Sequence, residues 1–254
     1  MAAISAAALI TMTRYAIYFA PARASVLWQR GCEWLGRDAE TGARNELLSI
    51  AGVPAALQRQ LTHNARRYGF HATLKAPFYL APGFDEGNLL SMAQTFARGQ
   101  SGLHLPQLEV SRLGPFLALQ PVAADASSAA SIAAINALAM RCVSYFDILR
   151  APPSTTELAR RRQDGLTARQ DALLTRWGYP YTEEAYRFHM TLTDGLTGVE
   201  PDAAAALRTA AESCFVAARS VPSQIDNLAV FREASAGADF ELVARFALAS
   251  AGAR

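Results

Sequence analysis

Residues 68–80, with the sequence YGFHATLKAPFYL, place a histidine and a threonine two positions apart within an apolar segment. Successive side chains of a β-strand point to opposite faces, so His71, Thr73 and Lys75 share one face while the residues between them share the other. The alternation predicts a strand with one face in the core and a second face that carries polar side chains.

A second stretch, residues 186–196 with the sequence YRFHMTLTDGL, repeats this arrangement far along the chain. There Arg187, His189 and Thr191 alternate with apolar residues, which again predicts a strand with one polar face. A single H-x-T pattern occurs by chance, whereas two of them in matching strand contexts indicate a shared site.

The two motifs begin two units of similar order. Each motif is followed by one helical pattern and two strand patterns, in a first unit over about 66–122 and a second over about 184–249. This repeat favours an internally duplicated, two-lobed α+β fold whose antiparallel sheets line a central cleft, with the helices outside. Each lobe then supplies one histidine. A long helical pattern at 155–177 lies between the two units.

The composition is that of an ordinary globular protein. With 254 residues and 51% hydrophobic content, the chain can bury a substantial core, which we expect to form a single bilobal domain over residues 13–250. The 24 Lys and Arg residues against 22 Asp and Glu give a formal net charge of +2, which argues against a dedicated nucleic-acid binder. Three widely spaced cysteines in no paired motif fit a reducing compartment, so a cytoplasmic location is expected.

Residues 1–12 are mostly apolar and small. They have no basic region at their start and are too few to cross a bilayer, so no membrane segment is predicted. We expect this stretch to be an extension that is disordered or results from the choice of start codon, with a weak signal peptide as the alternative.

Two histidines that face each other across a cleft suffice for phosphate-ester chemistry without a metal. A neutral imidazole takes a proton from the attacking oxygen, and an imidazolium gives one to the leaving oxygen. Threonine hydroxyls on the same strand faces can donate hydrogen bonds to the phosphoryl oxygens. The predicted catalytic residues are His71, Thr73, His189 and Thr191. The pattern leaves open which histidine is the base.

Four further residues are candidates for substrate binding. Lys75 and Arg187 are each in phase with a histidine and could hold a phosphate, with an exposed strand side chain as the alternative. Tyr15 and Tyr18 lie on the first predicted strand, at 14–20, and cannot face the same way. One of these tyrosines can line the cleft while the other packs in the core.

Motifs for other chemistries are absent from the sequence. It contains no H-x-H-x-D, H-E-x-x-H or paired-cysteine pattern, so we expect no metal and no cofactor. It also lacks the G-x-S-x-G of serine hydrolases and the G-x-x-x-x-G-K-[ST] of P-loop proteins. The run Arg160, Arg161 and Arg162 lies on a predicted helix and is interpreted as a solvated face rather than a substrate-steering patch.

The segments FHATLKAPF and FHMTL resemble the paired H-x-T motifs of the 2H phosphoesterase superfamily. RYAIYFAP, WLGRDAETG and RRYGFHATLKAPF further resemble the branch found with bacterial phosphonate-utilisation genes. The resemblance implies two catalytic pairs, His71 with Thr73 and His189 with Thr191. It also implies a metal-independent hydrolase of a cyclic phosphodiester, derived from ribose or a nucleotide, in phosphonate metabolism.

Two alternatives to this hydrolase remain open at this point. One is an RNA end-processing or ligase-like enzyme, which would require a broader basic groove than a net charge of +2 indicates. The other is a module that binds a cyclic phosphate without turnover. The expected partner is a small phosphorylated substrate, with RNA less favoured and no membrane; the oligomeric state is left open.

Overall fold

The computed structural model describes residues 13–163 and 165–249. The chain forms both strands and helices, as the hydrophobic periodicity predicts. The strands are β1 (Arg14–Phe19), β2 (Ala72–Tyr79), β3 (Leu103–Leu105), β4 (Leu108–Leu113), β5 (Phe116–Pro121), β6 (Met190–Thr191), β7 (Ser223–Ile225), β8 (Asn227–Glu233) and β9 (Phe240–Ala247). The helices are α1 (Val26–Leu35), α2 (Ala55–Leu61), α3 (His63–Tyr68), α4 (Glu86–Arg98), α5 (Ala126–Tyr145), α6 (Thr155–Arg162), α7 (Ala168–Trp177) and α8 (Pro201–Arg219).

The two units share one seven-stranded sheet in the order β4-β5-β6-β2-β1-β8-β9, and its neighbouring strands are antiparallel. The β4–β5 hairpin follows the first motif but pairs with β6, which carries the second. The β8–β9 hairpin follows the second motif but joins the sheet beside β1. The predicted α+β class with antiparallel pairing is therefore confirmed, and the two H-x-T segments lie next to each other at its centre.

A second, two-stranded sheet joins equivalent strands of the two units. Its strands are β3 and β7, with Leu103 opposite Ile225 and Leu105 opposite Ser223. Antiparallel pairing of corresponding strands is what two similar units related by an approximate twofold axis would make. The boundaries of the units and of the 13–250 domain stay predictions, and the extension at 1–12 lies outside the described residues.

Helix α1 packs against α8 and closely approaches Phe70, which lies just before β2. It begins after Ser25, whose hydroxyl accepts the N–H of Trp28, and it ends at Gly36 in the left-handed conformation. At Gly31, a Cβ would lie 2.2 Å from the ring of Phe70. Only glycine fits there, so the backbone of α1 closely approaches the residue that precedes His71.

One helical stretch among the described residues, Ala126–Leu149, is long and apolar enough to cross a membrane by length and composition alone. The same test is passed by core helices of soluble proteins. Here α5 packs against β2 and β3, and Ile135, Leu138 and Cys142 are fully buried. The absence of a membrane partner and the cytoplasmic location stay predictions.

Two predicted elements differ in the structure. The helical pattern at 155–177 is two helices, α6 and α7, because Gly165 adopts a positive φ and Thr167 caps a new helix start. The strand predicted for the second motif is only two residues long, Met190–Thr191. Beyond that point the Thr193 hydroxyl accepts the Leu117 N–H, so a side chain replaces the backbone partner of the ladder.

Candidate active site

The two H-x-T motifs meet across the β2–β6 pairing. Ala72 and Met190 are paired residues in this antiparallel register. Counting one residue outward on each side places His71 across from Thr191, and Thr73 across from His189. All four predicted catalytic residues line one cleft of about 510 Å³, so the structure brings them together as a group.

Each histidine is held by the same local contact. The Nδ1 atom of His71 lies 2.8 Å from the carbonyl oxygen of Gly69, and that of His189 lies 2.8 Å from the carbonyl oxygen of Arg187. A carbonyl only accepts, so Nδ1 carries the proton and donates. Nε2 of each neutral ring is then left to accept a proton, which is the state that a general base requires.

The two histidines have different surroundings. The ring of His71 stacks on Tyr18 with centroids 3.7 Å apart, and its Nε2 lies 3.3 Å from the Thr73 hydroxyl oxygen. Burial, with a smaller contribution from His189, lowers the pKa of His71 to about 4 against the opposing effect of the Gly69 carbonyl. His189 has the tilted ring of Phe116 at 5.6 Å, and burial also lowers its pKa. Neutral imidazoles are therefore the resting forms at pH 7.

The cleft is cationic. Arg14, Arg160 and Arg161 line it together with the two histidines, and Asp194 is the only carboxylate among the described residues of the lining. The oxygens of Asp194 already accept three N–H groups at the start of α3, two from Asn64 and one from Ala65. Arg14 also forms an ion pair with Glu233, a carboxylate of zero exposure. The electrostatics favour an anionic ligand.

Of the four predicted binding residues, the structure places only Tyr18 in this cleft. Lys75 is 3% exposed, and its ammonium donates to the Val143 carbonyl at 3.0 Å and to Asp147 at 3.3 Å. A register shift between β1 and β2 near this residue breaks the alternation on which its predicted position depended. Burial lowers the pKa of Lys75 to about 8 although Asp147 raises it.

Tyr15 and Arg187 also lie outside the lining of this cleft. Tyr15 is buried near Glu86, and burial is the main reason that its pKa is raised to about 12. The Arg187 guanidinium donates to the backbone carbonyls of Glu184 and Tyr186 at 2.8 and 2.7 Å. Arg187 instead lines an adjoining aromatic pocket of about 380 Å³, which shares His189 with the cleft.

The arginine run was interpreted as a solvated face, and two of its three members line the cleft. Arg160 and Arg161 line the cleft, whereas Arg162 forms an ion pair with Asp171 at 2.6 Å. The run itself was the available signal, but only the placement of α6 decides which of its members reach the cleft. Tyr68 and Tyr179 also line the cleft, and nothing in the sequence pattern singled them out.

The described residues contain no group of three or more His, Cys, Asp and Glu side chains that could hold a metal ion. That observation concerns side-chain clusters alone, so the expected metal independence stays a prediction. The groups positioned for chemistry are the two imidazoles, the threonine hydroxyls and the arginines.

Fold and site together define an α+β protein with two histidines on adjacent antiparallel segments in a cationic cleft. The chain belongs to the family described as "Protein of unknown function (DUF1045)", whose pattern matches residues 73–241. The matched region contains His189 and both threonines.

Two curated relatives extend the similarity over most of the chain. One, from Janthinobacterium sp. (strain Marseille), is named ribose 1,5-bisphosphate phosphokinase PhnN and is 51% identical over 91% of this chain and 49% of its own length. The other, from Laribacter hongkongensis (strain HLHK9), has the same name and is 39% identical over 90% of this chain and 50% of its own length. The chain thus spans about half the length of the curated relatives it matches.

These names overturn one expectation. The sequence pattern and its family resemblance led to a hydrolase of a cyclic phosphodiester, and hence to a phosphodiesterase. Both relatives are instead named as a phosphokinase, and the substrate in their name is a ribose bisphosphate. The hydrolase prediction is therefore wrong by this comparison.

Proposed function

We propose that this chain is an enzyme domain of the 2H phosphoesterase type that binds a phosphorylated ribose and catalyses proton transfer at one of its phosphate groups. The observation that carries the proposal is the opposed register of the motifs, with Ala72 across from Met190. That register sets two imidazoles and two hydroxyls around one cationic cleft. Imidazoles can act as acid and base in reactions at phosphorus, and hydroxyls can donate to the phosphoryl oxygens.

The roles of the residues follow from their surroundings. His71 is the more strongly held in the neutral form, so its Nε2 accepts the proton of an attacking hydroxyl of the bound sugar as the new P–O bond forms. His189 gives a proton to the sugar oxygen that leaves as the old P–O bond breaks, so the phosphoryl group passes between two oxygens of the same sugar and the leaving oxygen becomes a hydroxyl. Phosphate binding places negative charge beside both rings and raises both pKa values, which favours the protonated form of His189. Thr73 and Thr191 donate to the non-bridging oxygens.

The substrate class is supported by the relatives. Their printed name contains ribose 1,5-bisphosphate, and about half of each relative is matched by this chain. The sequence resemblance to the branch found with phosphonate-utilisation genes is compatible with that substrate, so we place the reaction in phosphonate metabolism.

A P-loop site for a nucleotide donor does not fit the residues of this chain. Kinases of the P-loop class hold the phosphates of ATP with a lysine that follows a glycine-rich loop. The single lysine of this sequence is Lys75, which is buried against Val143 and Asp147. We therefore route no step through a nucleoside triphosphate.

The test combines phosphorus NMR with calorimetry on purified protein. Ribose 1,5-bisphosphate and ribose 5-phosphate are each added, and binding and changes in the phosphorus signals are recorded. We expect saturable binding and signals of a new phosphate species, lost from the His189→Asn variant. His104→Asn is the matched control, since His104 is an exposed histidine on β3 outside the lining of the cleft. Absence of binding for both compounds would overturn the proposal.

A further inference from the structure

Helix α6 is attached to the molecule without a buried side chain of its own. None of its residues from Thr155 to Arg162 is buried, yet two of its arginines line the cleft of the histidines. A helix that contributes nothing to the core can change its side chains at little cost to stability. Its arginines are therefore best explained by a ligand that binds in the cleft.

Arg160 and Arg161 are prepared for a ligand in different ways. Arg160 is exposed, and its guanidinium has no hydrogen-bonded or ion-paired partner within residues 13–163 and 165–249. Arg161 is held by Glu157, whose Oε1 accepts from Nε at 3.3 Å and from Nη2 at 3.1 Å, and its guanidinium lies 5.9 Å from the ring of Tyr179. Among the described residues, the guanidinium of Arg160 is thus uncommitted, while that of Arg161 is oriented and its Nη1 has no partner.

Among the described residues that line the cleft, arginines outnumber carboxylates, and Glu157, the ion-pair partner of Arg161, lies outside that lining. Asp194, the one described carboxylate of the lining, already accepts three N–H groups at the start of α3. Planar guanidinium groups bind phosphate oxygens through paired hydrogen bonds, which makes arginine the usual partner for phosphate. A volume of about 510 Å³ accommodates a small sugar with more than one phosphate.

We infer that Arg160 and Arg161 bind a second phosphate of the substrate, separate from the phosphate that reacts beside His71 and His189. This inference rests on the proposed function and narrows its substrate class to small sugars with two phosphate groups. The arginines act as specificity-determining residues. They recognise the phosphate that does not react, and they orient the other one toward the imidazoles.

The test is a thermodynamic cycle that combines a change of ligand with a change of protein. Calorimetry gives the Kd of ribose 1,5-bisphosphate and of ribose 5-phosphate for the wild type, for the double variant Arg160→Gln/Arg161→Gln, and for Arg162→Gln. Arg162 is the matched control because it lies on the same helix but is paired with Asp171 outside the lining of the cleft. The readout is the ratio of the two Kd values: a monophosphate that can occupy either subsite uses the intact one in the double variant, so the ratio then reports the loss of the arginine subsite.

We expect the wild type to bind the bisphosphate at least about tenfold more tightly than the monophosphate, as for one added charge-assisted phosphate contact. In the double variant this advantage falls to about twofold or less, while Arg162→Gln keeps it. Thermal unfolding of all variants should match the wild type, because α6 buries no side chain. If the double variant still prefers the bisphosphate, or if the wild type shows no such preference, the second phosphate site is ruled out but the proposed function is not. A wild type that binds neither compound rules out the proposed function as well.

Discussion

Ala72 lies directly opposite Met190 in the pairing of β2 with β6, and this single register joins two motifs far apart in the chain. Side chains alternate along a strand, so the neighbours of this apolar pair are the histidines and threonines of the cleft. A slip of one residue would turn an imidazole toward the buried face. The register is stabilised by the burial of Ala72 and Met190, which are both fully buried.

The hydroxyls of the motifs should matter for turnover and not for folding. Thr191→Val removes one donor to the phosphoryl oxygens, so we expect the rate of ribose phosphate conversion to fall by about 10² to 10³, as for loss of one oxyanion donor. Thr193→Val is the matched comparison two residues further on, because the Thr193 hydroxyl accepts the Leu117 N–H and is fully buried. It should lower the free energy of unfolding by about 1–3 kcal/mol. Equal rates for Thr191→Val and wild type would remove this hydroxyl from the site.

The buried histidine should make stability depend on pH in a defined window. Burial lowers the pKa of His71 from 6.5 to about 4, so the folded state binds fewer protons than the unfolded state between these values. The free energy of unfolding therefore rises with pH through this window, by at most about 3 kcal/mol from this residue. Above pH 6.5 His71 is neutral in both states, so its contribution no longer changes. Urea unfolding at several pH values should show this as a difference in slope between the wild type and His71→Asn. Parallel curves from pH 4 to 7 would contradict it.

Lys75 should prove structural. Lys75→Met leaves the Val143 carbonyl without its donor, and we expect a loss of about 1–3 kcal/mol in the free energy of unfolding. Asp147 keeps its partner Arg150 at 2.7 Å, so no unpaired charge remains. The Kd for ribose 1,5-bisphosphate should stay within about twofold of wild type, since the ammonium does not line the cleft. A large loss of affinity at unchanged stability would restore Lys75 as a phosphate ligand.

The residue that anchors His71 should tolerate no side chain. Gly69 has a φ of +77°, and a Cβ there would lie 2.6 Å from the Cβ of Ala39. Gly42→Ala is the matched control, since Gly42 has a φ of +73° with nothing within 4 Å of its added Cβ. Both variants carry backbone strain of about 1–3 kcal/mol, but only Gly69→Ala adds a steric clash. Thermal unfolding should therefore rank Gly69→Ala well below Gly42→Ala, and similar melting temperatures would exclude the clash.

The sequence by itself determined the local features of this protein. The spacing of two between histidine and threonine follows from the strand period, so the catalytic candidates and their common faces could be predicted without a structure. The order of helices and strands was readable for the same reason, since it depends on periodicity over short windows. The sequence also contained the signals at Gly165 and Thr167 that divide the helical pattern at 155–177.

Only the tertiary structure decided which distant residues meet. The pairing of β6 with β2 and β5 gathers three separate segments, and no local preference encodes that choice or its register. The same holds for Lys75, because a shift in strand register and a facing helix place it in an ion pair. It also holds for Arg160 and Arg161, because the position of α6 brings them to the cleft. Periodicity specifies the face on which a side chain lies. The packing of elements remote in the chain specifies what that face contacts, because the free energy of burial depends on the whole core.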